Sequence, residues 1–347
     1  MADDELGARL GRFVGERLGG PVRVTHLERS TEGFSQETFV FEVETGRGER
    51  RGYVAKREPV AGVLEPYDLE PEFRVLNALS DDPLPSPPTP WFSRDPAVLE
   101  RPFYVMERLP GEVPVPAPRA DGAGPFDDAE RTALGPEVAR ALARLHAIDW
   151  RERGFGFLGA PGPGREAAER ELARWEERIR RSRLPVSPPL AEALLWCRRH
   201  LPATEEITLV HGDYRTGNFL VDGGRIAAIV DWEMVHLGDP MEDLGWACMT
   251  LWRGESPYMC HLLEREQLYA RYERLSGRRV DRARVHFYEV LATVKMAAIM
   301  LTGLHAFREG RTHDLRMALF DHQWAYMSVA IAQARGFHRI AEVLEAI

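Results

Sequence analysis

The chain has 347 residues, 44% apolar and 29% charged, and its 54 acids against 45 lysines and arginines leave a formal charge of −9. This balance excludes a disordered chain, because enough apolar surface exists to offset the entropy of ordering; its sign opposes a phosphodiester backbone, so no nucleic-acid partner is expected. Charges punctuate the apolar stretches, so no membrane span is expected, and an acidic N-terminus without an apolar core predicts a cytoplasmic protein without a secretory signal.

Residues 4–18 have a helical pattern. VRVTHLE (22–28), ETFVFEV (37–43) and GYVAKRE (52–58) read as strands. A helix is predicted over 70–80, with Phe73, Leu76 and Leu79 at helical spacing. The proline cluster at 83–90 excludes regular structure. FYVMERL (103–109) reads as a strand, and the proline- and glycine-rich segment 110–125 as a linker or exposed loop. Helices are then predicted at 127–149, 164–183 and 188–200, a strand-rich island at 207–232, and helices at 240–252, 261–275, 281–307 and, with breaks, 312–346. The layout is α+β with two lobes, a small β-rich lobe at 1–109 and a larger helical lobe at 110–347; ligands often sit in the cleft of such a layout.

Three scattered cysteines, Cys197, Cys248 and Cys260, lack zinc or disulfide spacing and read as buried thiols in a reducing compartment. Only two of the 45 basic residues are lysines, Lys56 and Lys295. A lysine that survives such a bias marks a place where a guanidinium would not fit.

The chemistry is concentrated in LVHGDYRTGNFLVDGGRIAAIVDWE (209–233). An apolar strand ends in His211-Gly212-Asp213, and Asn218 follows five residues later. Asp222-Gly223-Gly224 signals a hairpin turn, and the returning strand ends in Asp231. Folding back the two strands brings Asp213, Asn218 and Asp231 to one end of the hairpin. A carboxylate beside an amide oxygen is a hard-ligand pair suited to Mg²⁺. A second carboxylate can orient a hydroxyl and take its proton.

HGDYRTGN followed by IVDWE resembles the catalytic segment of the aminoglycoside phosphotransferase and choline kinase-like families, whose fold is the protein-kinase fold. The resemblance implies that Asp213 is the catalytic base, that Asn218 and Asp231 hold Mg²⁺, and that His211 ties the loop to the Asp231 strand. LGDPMEDLGW (237–246) is similar to the family's G-D-P-x-x-D-L pattern, which implies that Asp243 buttresses the catalytic loop; Asp239 fits an N-cap before Pro240. Upstream, Lys56 stands where the family places the nucleotide-phosphate lysine, with Glu72, or its neighbour Glu70, as its carboxylate partner. Gly33 and Ser35, with Gln36 and Thr38, match the family's phosphate-covering loop. Met106 to Arg108 stand at the adenine-binding hinge. The wording EFRVLNAL, RPFYVMERLPGEV and VDWEMVHLGDPMEDLGW looks closest to the kinase-like domain attached to some acyl-CoA dehydrogenases.

The implied activity is Mg²⁺-dependent transfer of phosphate from ATP or GTP to a hydroxyl of a small molecule. A protein kinase is disfavoured by Gly212 in place of arginine and by the short stretch after Asp231. A non-catalytic nucleotide-binding module is disfavoured by the retained polar set. Residues 240–347 hold 13 acids and 14 lysines and arginines, which favours a neutral or anionic acceptor over a polycation. Glu233 and Lys295 are candidate acceptor contacts; Lys295, on an apolar helix, either reaches solvent or faces a polar cavity. Trp246, Trp252, Tyr258 and Trp324 read as core.

Overall fold

The computed structural model describes residues 3–30, 35–114, 125–254, 256–321 and 331. The chain divides into two compact units, Met1–Pro110 and Gly111–Ile347.

In the first unit, α1 (Asp3–Leu18) is followed by β1 (Val22–Ser30), β2 (Glu37–Thr45), β3 (Arg50–Arg57), α2 (Glu70–Ala78), β4 (Trp91–Ser93), α3 (Pro96–Leu99) and β5 (Phe103–Glu107). The strands form one antiparallel sheet in the order β1-β2-β3-β5-β4. The α1 residues Leu6, Leu10, Phe13 and Val14 recur at helical spacing and bury one stripe. That stripe packs with Phe39, Phe41 and Val43, alternate residues of β2, and with Tyr53, Ala55, Phe103 and Val105. Lys56 follows Ala55 and so points to the opposite face, directly across from Tyr104 in the β3–β5 ladder. β4 and α3, three and four residues long, are too short to leave a periodic signal.

The second unit contains α4 (Asp128–Ala147), α5 (Glu166–Ser182), α6 (Pro188–Arg199), β6 (Thr208–Val210), β7 (Phe219–Asp222), β8 (Arg225–Ile229), β9 (His236–Gly238), α7 (Met241–Cys248), α8 (Thr250–Arg253), β10 (Tyr258–Met259), β11 (Leu263–Glu264), α9 (Arg265–Ser276), α10 (Arg282–Arg308) and α11 (Leu315–Ala318). Asp127 and Glu130 form a reciprocal capping box that starts α4. The expected helix at 240–252 breaks at Met249, whose ψ of 131° leaves the helical region. The expected helix at 261–275 starts only at Arg265, because β10 and β11 pair just before it. Of the expected C-terminal helix, residues 322–330 and 332–347, including Trp324, lie outside the described residues.

The expectation that no segment could span a membrane needs correction at α10. By length and composition this helix is apolar enough to do so, because Lys295 is its only charge between Glu289 and Arg308. In this fold α10 packs against α5, α6 and α7, and most of its apolar stretch is buried inside the unit. All three cysteines are free and buried. Burial pushes the Cys248 thiol up to about 12 and raises the Cys260 thiol as well, so neither is a poised thiolate.

Candidate active site

β6 pairs with β9, Val210 opposite His236, and delivers the chain into the loop that opens at His211. Gly212 has a φ of +83°, and a Cβ there would stand 2.7 Å from the Met234 carbonyl oxygen. Only glycine can make that turn at that distance. The loop ends in a 3₁₀ turn, Thr216–Asn218, and runs directly into β7. β7 and β8 pair with Phe219 opposite Ile229, and the Val230 N–H donates to the Asn218 carbonyl at 2.9 Å. The hairpin thus sets Asn218 beside Val230, the residue before Asp231. Asp231 itself has a φ of 63°, a strained left-handed conformation for a non-glycine residue of the kind that concentrates at functional sites.

The Asp213 carboxylate is held on both oxygens. Oδ1 accepts from Trp246 Nε1 at 2.6 Å and from Arg215 Nε at 2.9 Å. Oδ2 accepts from the Asn218 amide at 2.7 Å, and the same amide donates to the Asp213 carbonyl at 2.8 Å. Asn218 is fully buried, and its Oδ1 is without a hydrogen-bond partner. A buried amide oxygen in that state carries a desolvation cost that a ligand would remove.

His211 is buried beneath this loop. Its Nδ1 accepts from the Asp213 N–H at 3.2 Å, so its Nε2 carries the proton and donates to the Val230 carbonyl at 3.1 Å. It therefore bridges the loop and the strand that ends at Asp231. Burial lowers its pKa, opposed by the carboxylates of Asp243, Asp213 and Asp231, and the ring stays neutral.

Asp243, in the first turn of α7, accepts from the His211 N–H and the Gly212 N–H, each at 2.9 Å, and lies 3.2 Å from His146 Nε2. Burial works to raise its pKa, but these partners outweigh it and hold the group below the usual carboxylate range. Asp239 does a different job. It stands one residue before the N-cap position, which Pro240 takes, accepts from the Met241 N–H at 2.9 Å, and pairs with Arg284. Burial raises its pKa to about 6.

In the first unit, Glu72 is buried and accepts from the Tyr104 hydroxyl at 2.8 Å and from the Gln36 amide at 2.7 Å. Tyr104 is the cross-strand neighbour of Lys56, which is itself buried. The face that carries Lys56 therefore also carries Glu72, whereas Glu70 is turned outward to Arg94 at 2.7 Å. Ser35 is half-buried just before β2, and Gly33 lies outside the described residues. Met106 is buried in β5, and the Arg108 side chain is exposed beside Glu42.

Glu233 is half-buried two residues past Asp231. Lys295 corrects the expectation of a solvent-reaching side chain. It is 1% exposed, and its ammonium lies 2.5 Å from Glu242 and 2.9 Å from Glu171. Most of α10 faces the interior, and the charge is paired with two buried carboxylates. His236 Nε2 joins the cluster 3.2 Å from Glu242.

Sequence reasoning missed Arg215, Trp246 and His146. Trp246 was read as core, and it is buried, but its indole N–H makes a polar bond that burial patterns do not reveal. Its place one helical turn after Asp243, on a face already turned to the loop, was the available signal. His146 comes from the far end of α4 with nothing local to mark it.

The sequence matches the phosphotransferase enzyme family over residues 26–288. It is similar to acyl-CoA dehydrogenase family member 10 of Mus musculus, with 27% identity over 254 residues, 72% of this chain. The match covers only 22% of that mouse protein, so the chain corresponds to less than a quarter of its length. Among solved structures it is similar to a putative aminoglycoside phosphotransferase from Ralstonia eutropha JMP134, at 25% identity and a TM-score of 0.72, covering 96% of this chain and 98% of that one. A thermostable mutant of the aminoglycoside phosphotransferase APH(4)-Ia, in ternary complex with ADP and hygromycin B, has a TM-score of 0.56 at 20% identity and covers 94% and 97% of the two chains; at that identity the likeness is one of fold. The fold is accordingly the protein-kinase-like fold of these phosphotransferases, and the chain belongs to the phosphotransferase enzyme family.

Proposed function

We propose that the chain transfers the terminal phosphoryl group of ATP or GTP to a hydroxyl of a small molecule. In this reading Asp213 orients the acceptor hydroxyl and takes its proton as the oxygen attacks the terminal phosphorus. The new P–O bond forms as the bridging P–O bond breaks, and its electron pair leaves with the nucleoside diphosphate. Lys56 neutralises nucleotide phosphates, Glu72 holds Lys56 in place, Ser35 and Gly33 belong to the phosphate-covering loop, and backbone groups at Met106 and Arg108 meet the base.

The observation that carries this reading is the double use of Asn218. Its amide nitrogen donates to the Asp213 carboxylate and to the Asp213 carbonyl, while its buried oxygen is left without a partner. That oxygen fits a hard divalent cation, and Asp231, two residues past the hydrogen-bonded end of β8, adds a carboxylate of the same chemical class. Mg²⁺ held by Asn218 and Asp231 would supply charge neutralisation to the phosphate oxygens. ADP bound in the APH(4)-Ia structure is consistent with ATP as the donor; GTP rests on the resemblance alone.

The test is calorimetric titration of a non-hydrolysable ATP analogue with and without Mg²⁺. The wild-type chain is expected to bind with a strong dependence on Mg²⁺. Asp231→Ala and Asn218→Ala are expected to remove that dependence. Unchanged Mg²⁺-dependent binding in both variants would refute the metal assignment. The acceptor would be sought among aminoglycosides, macrolides, choline-like alcohols, sugars and hydroxyacyl thioesters, the last because relatives are named as acyl-CoA dehydrogenase family members.

A further inference from the structure

We propose that Trp246 is a positioning residue for the phosphoryl-transfer carboxylate. With Arg215 it closes Oδ1 of Asp213, so that Oδ2 is the oxygen left to meet the acceptor. The proposal rests on the reading of Asp213 given above. A carboxylate oxygen has about two lone-pair directions for hydrogen bonds. Oδ1 already accepts two bonds, from Trp246 Nε1 at 2.6 Å and Arg215 Nε at 2.9 Å. Oδ2 accepts one, from Asn218 at 2.7 Å, and keeps one direction open.

Trp246 is enclosed, and Arg215 is braced by a neighbouring ring. The Trp246 ring is 1% exposed, with the Lys295 ammonium 5.4 Å from its centre and the Trp252 ring 5.9 Å away. Glu171 and Glu242 hold that ammonium, so the indole cannot swing without breaking a buried ionic cluster. The Arg215 guanidinium lies 4.3 Å from the centre of the Trp252 ring. It also fills the space over Gly217, where a Cβ would stand 2.0 Å from Arg215 Nη1. The fold thus leaves out a side chain at residue 217 where the guanidinium sits. A carboxylate held in one rotation by donors on both oxygens is what hydroxyl alignment needs, since misplacement of a reacting group is costly.

Two variants test this, read as Mg²⁺-dependent hydrolysis of ATP by water, so that no acceptor need be known. Trp246→Phe keeps the ring and removes the N–H. It is expected to lower kcat about tenfold, the worth of one hydrogen bond to a charged group, with KM for ATP unchanged. In an Asp213→Asn background the same change is expected to have no further effect, because it acts through that carboxylate. Gly217→Ala displaces the other donor from a loop position and is expected to lower kcat in the same manner, which keeps the test available if Trp246→Phe fails to fold. Wild-type kcat in Trp246→Phe, or in Gly217→Ala should Trp246→Phe fail to fold, or an undiminished effect of Trp246→Phe in the Asp213→Asn background, would overturn the proposal. Wild-type kcat in Asp213→Asn alone would overturn the underlying reading of Asp213, and that single variant tells the two failures apart.

Discussion

Asp243 shows how a single carboxylate can fix a loop. It faces two consecutive backbone N–H groups and an imidazole, all in the interior. Backbone donors buried without an acceptor are costly, and among the described residues Asp243 is the acceptor that the His211 and Gly212 N–H groups use. We expect Asp243→Ala to destabilise the protein by about 3–5 kcal/mol, the cost of breaking a buried, charge-assisted network. Urea denaturation checks this, and a loss below 1 kcal/mol would show that water or a shifted side chain takes over the two donors. Asp239, four residues earlier and the same residue type, accepts from the first N–H of a helix instead. The sequence separates these roles only through spacing: the residue before Pro240 precedes the helix, and the residue three positions after Pro240 lies one turn in.

At the scale of elements, α5, α7, α10 and the start of β9 meet around Glu171, Glu242, Lys295 and His236. These four side chains come from positions up to 124 residues apart in the chain, Glu171 to Lys295, so no local pattern could join them; Lys295 in an apolar helix was visible, but its partners were not. His236 is largely enclosed, its side chain 13% exposed, and desolvation works against its charge, yet Glu242 and Glu171 outweigh that and the opposing Lys295, and raise its pKa to about 9. The folded protein therefore holds a proton here that the unfolded chain releases near pH 6.5. The stabilisation is complete below pH 6.5 and is lost as pH rises through 9. It amounts to something on the order of 3 kcal/mol for a shift of this size. Thermal unfolding followed between pH 6 and 10 is expected to show wild-type stability falling across this window, and His236→Gln flattening the fall. An equally steep fall in the variant would place the titrating group elsewhere.

For the whole molecule, legibility in sequence followed the distance over which each feature is built. The β1-β2-β3 meander of the first unit and the hairpin carrying Asn218 and Asp231 arise from neighbouring segments, and alternation and turn residues marked both. The three-residue strand β9 and the paired β10 and β11 are stabilised by what they pack against and left no periodicity to read. The break at Met249 is likewise a tertiary effect within a continuous helical pattern. The polar set at 211–231 was readable because one loop and one hairpin contain it, while the residues that hold Asp213 and its loop from α4 and α7, His146 and Trp246, were not. The reading as a whole stands on Asp213 being the group that orients the acceptor hydroxyl and takes its proton. The most direct measurement uses ATP or GTP labelled on the terminal phosphate, incubated with the protein, Mg²⁺ and the acceptor panel, comparing wild type with Asp213→Ala. The account predicts label in a small-molecule phosphate ester, with kcat reduced by about 10²–10⁴ in the variant and nucleotide affinity little changed. Equal transfer by Asp213→Ala, or label appearing on protein and on no small molecule, would contradict it.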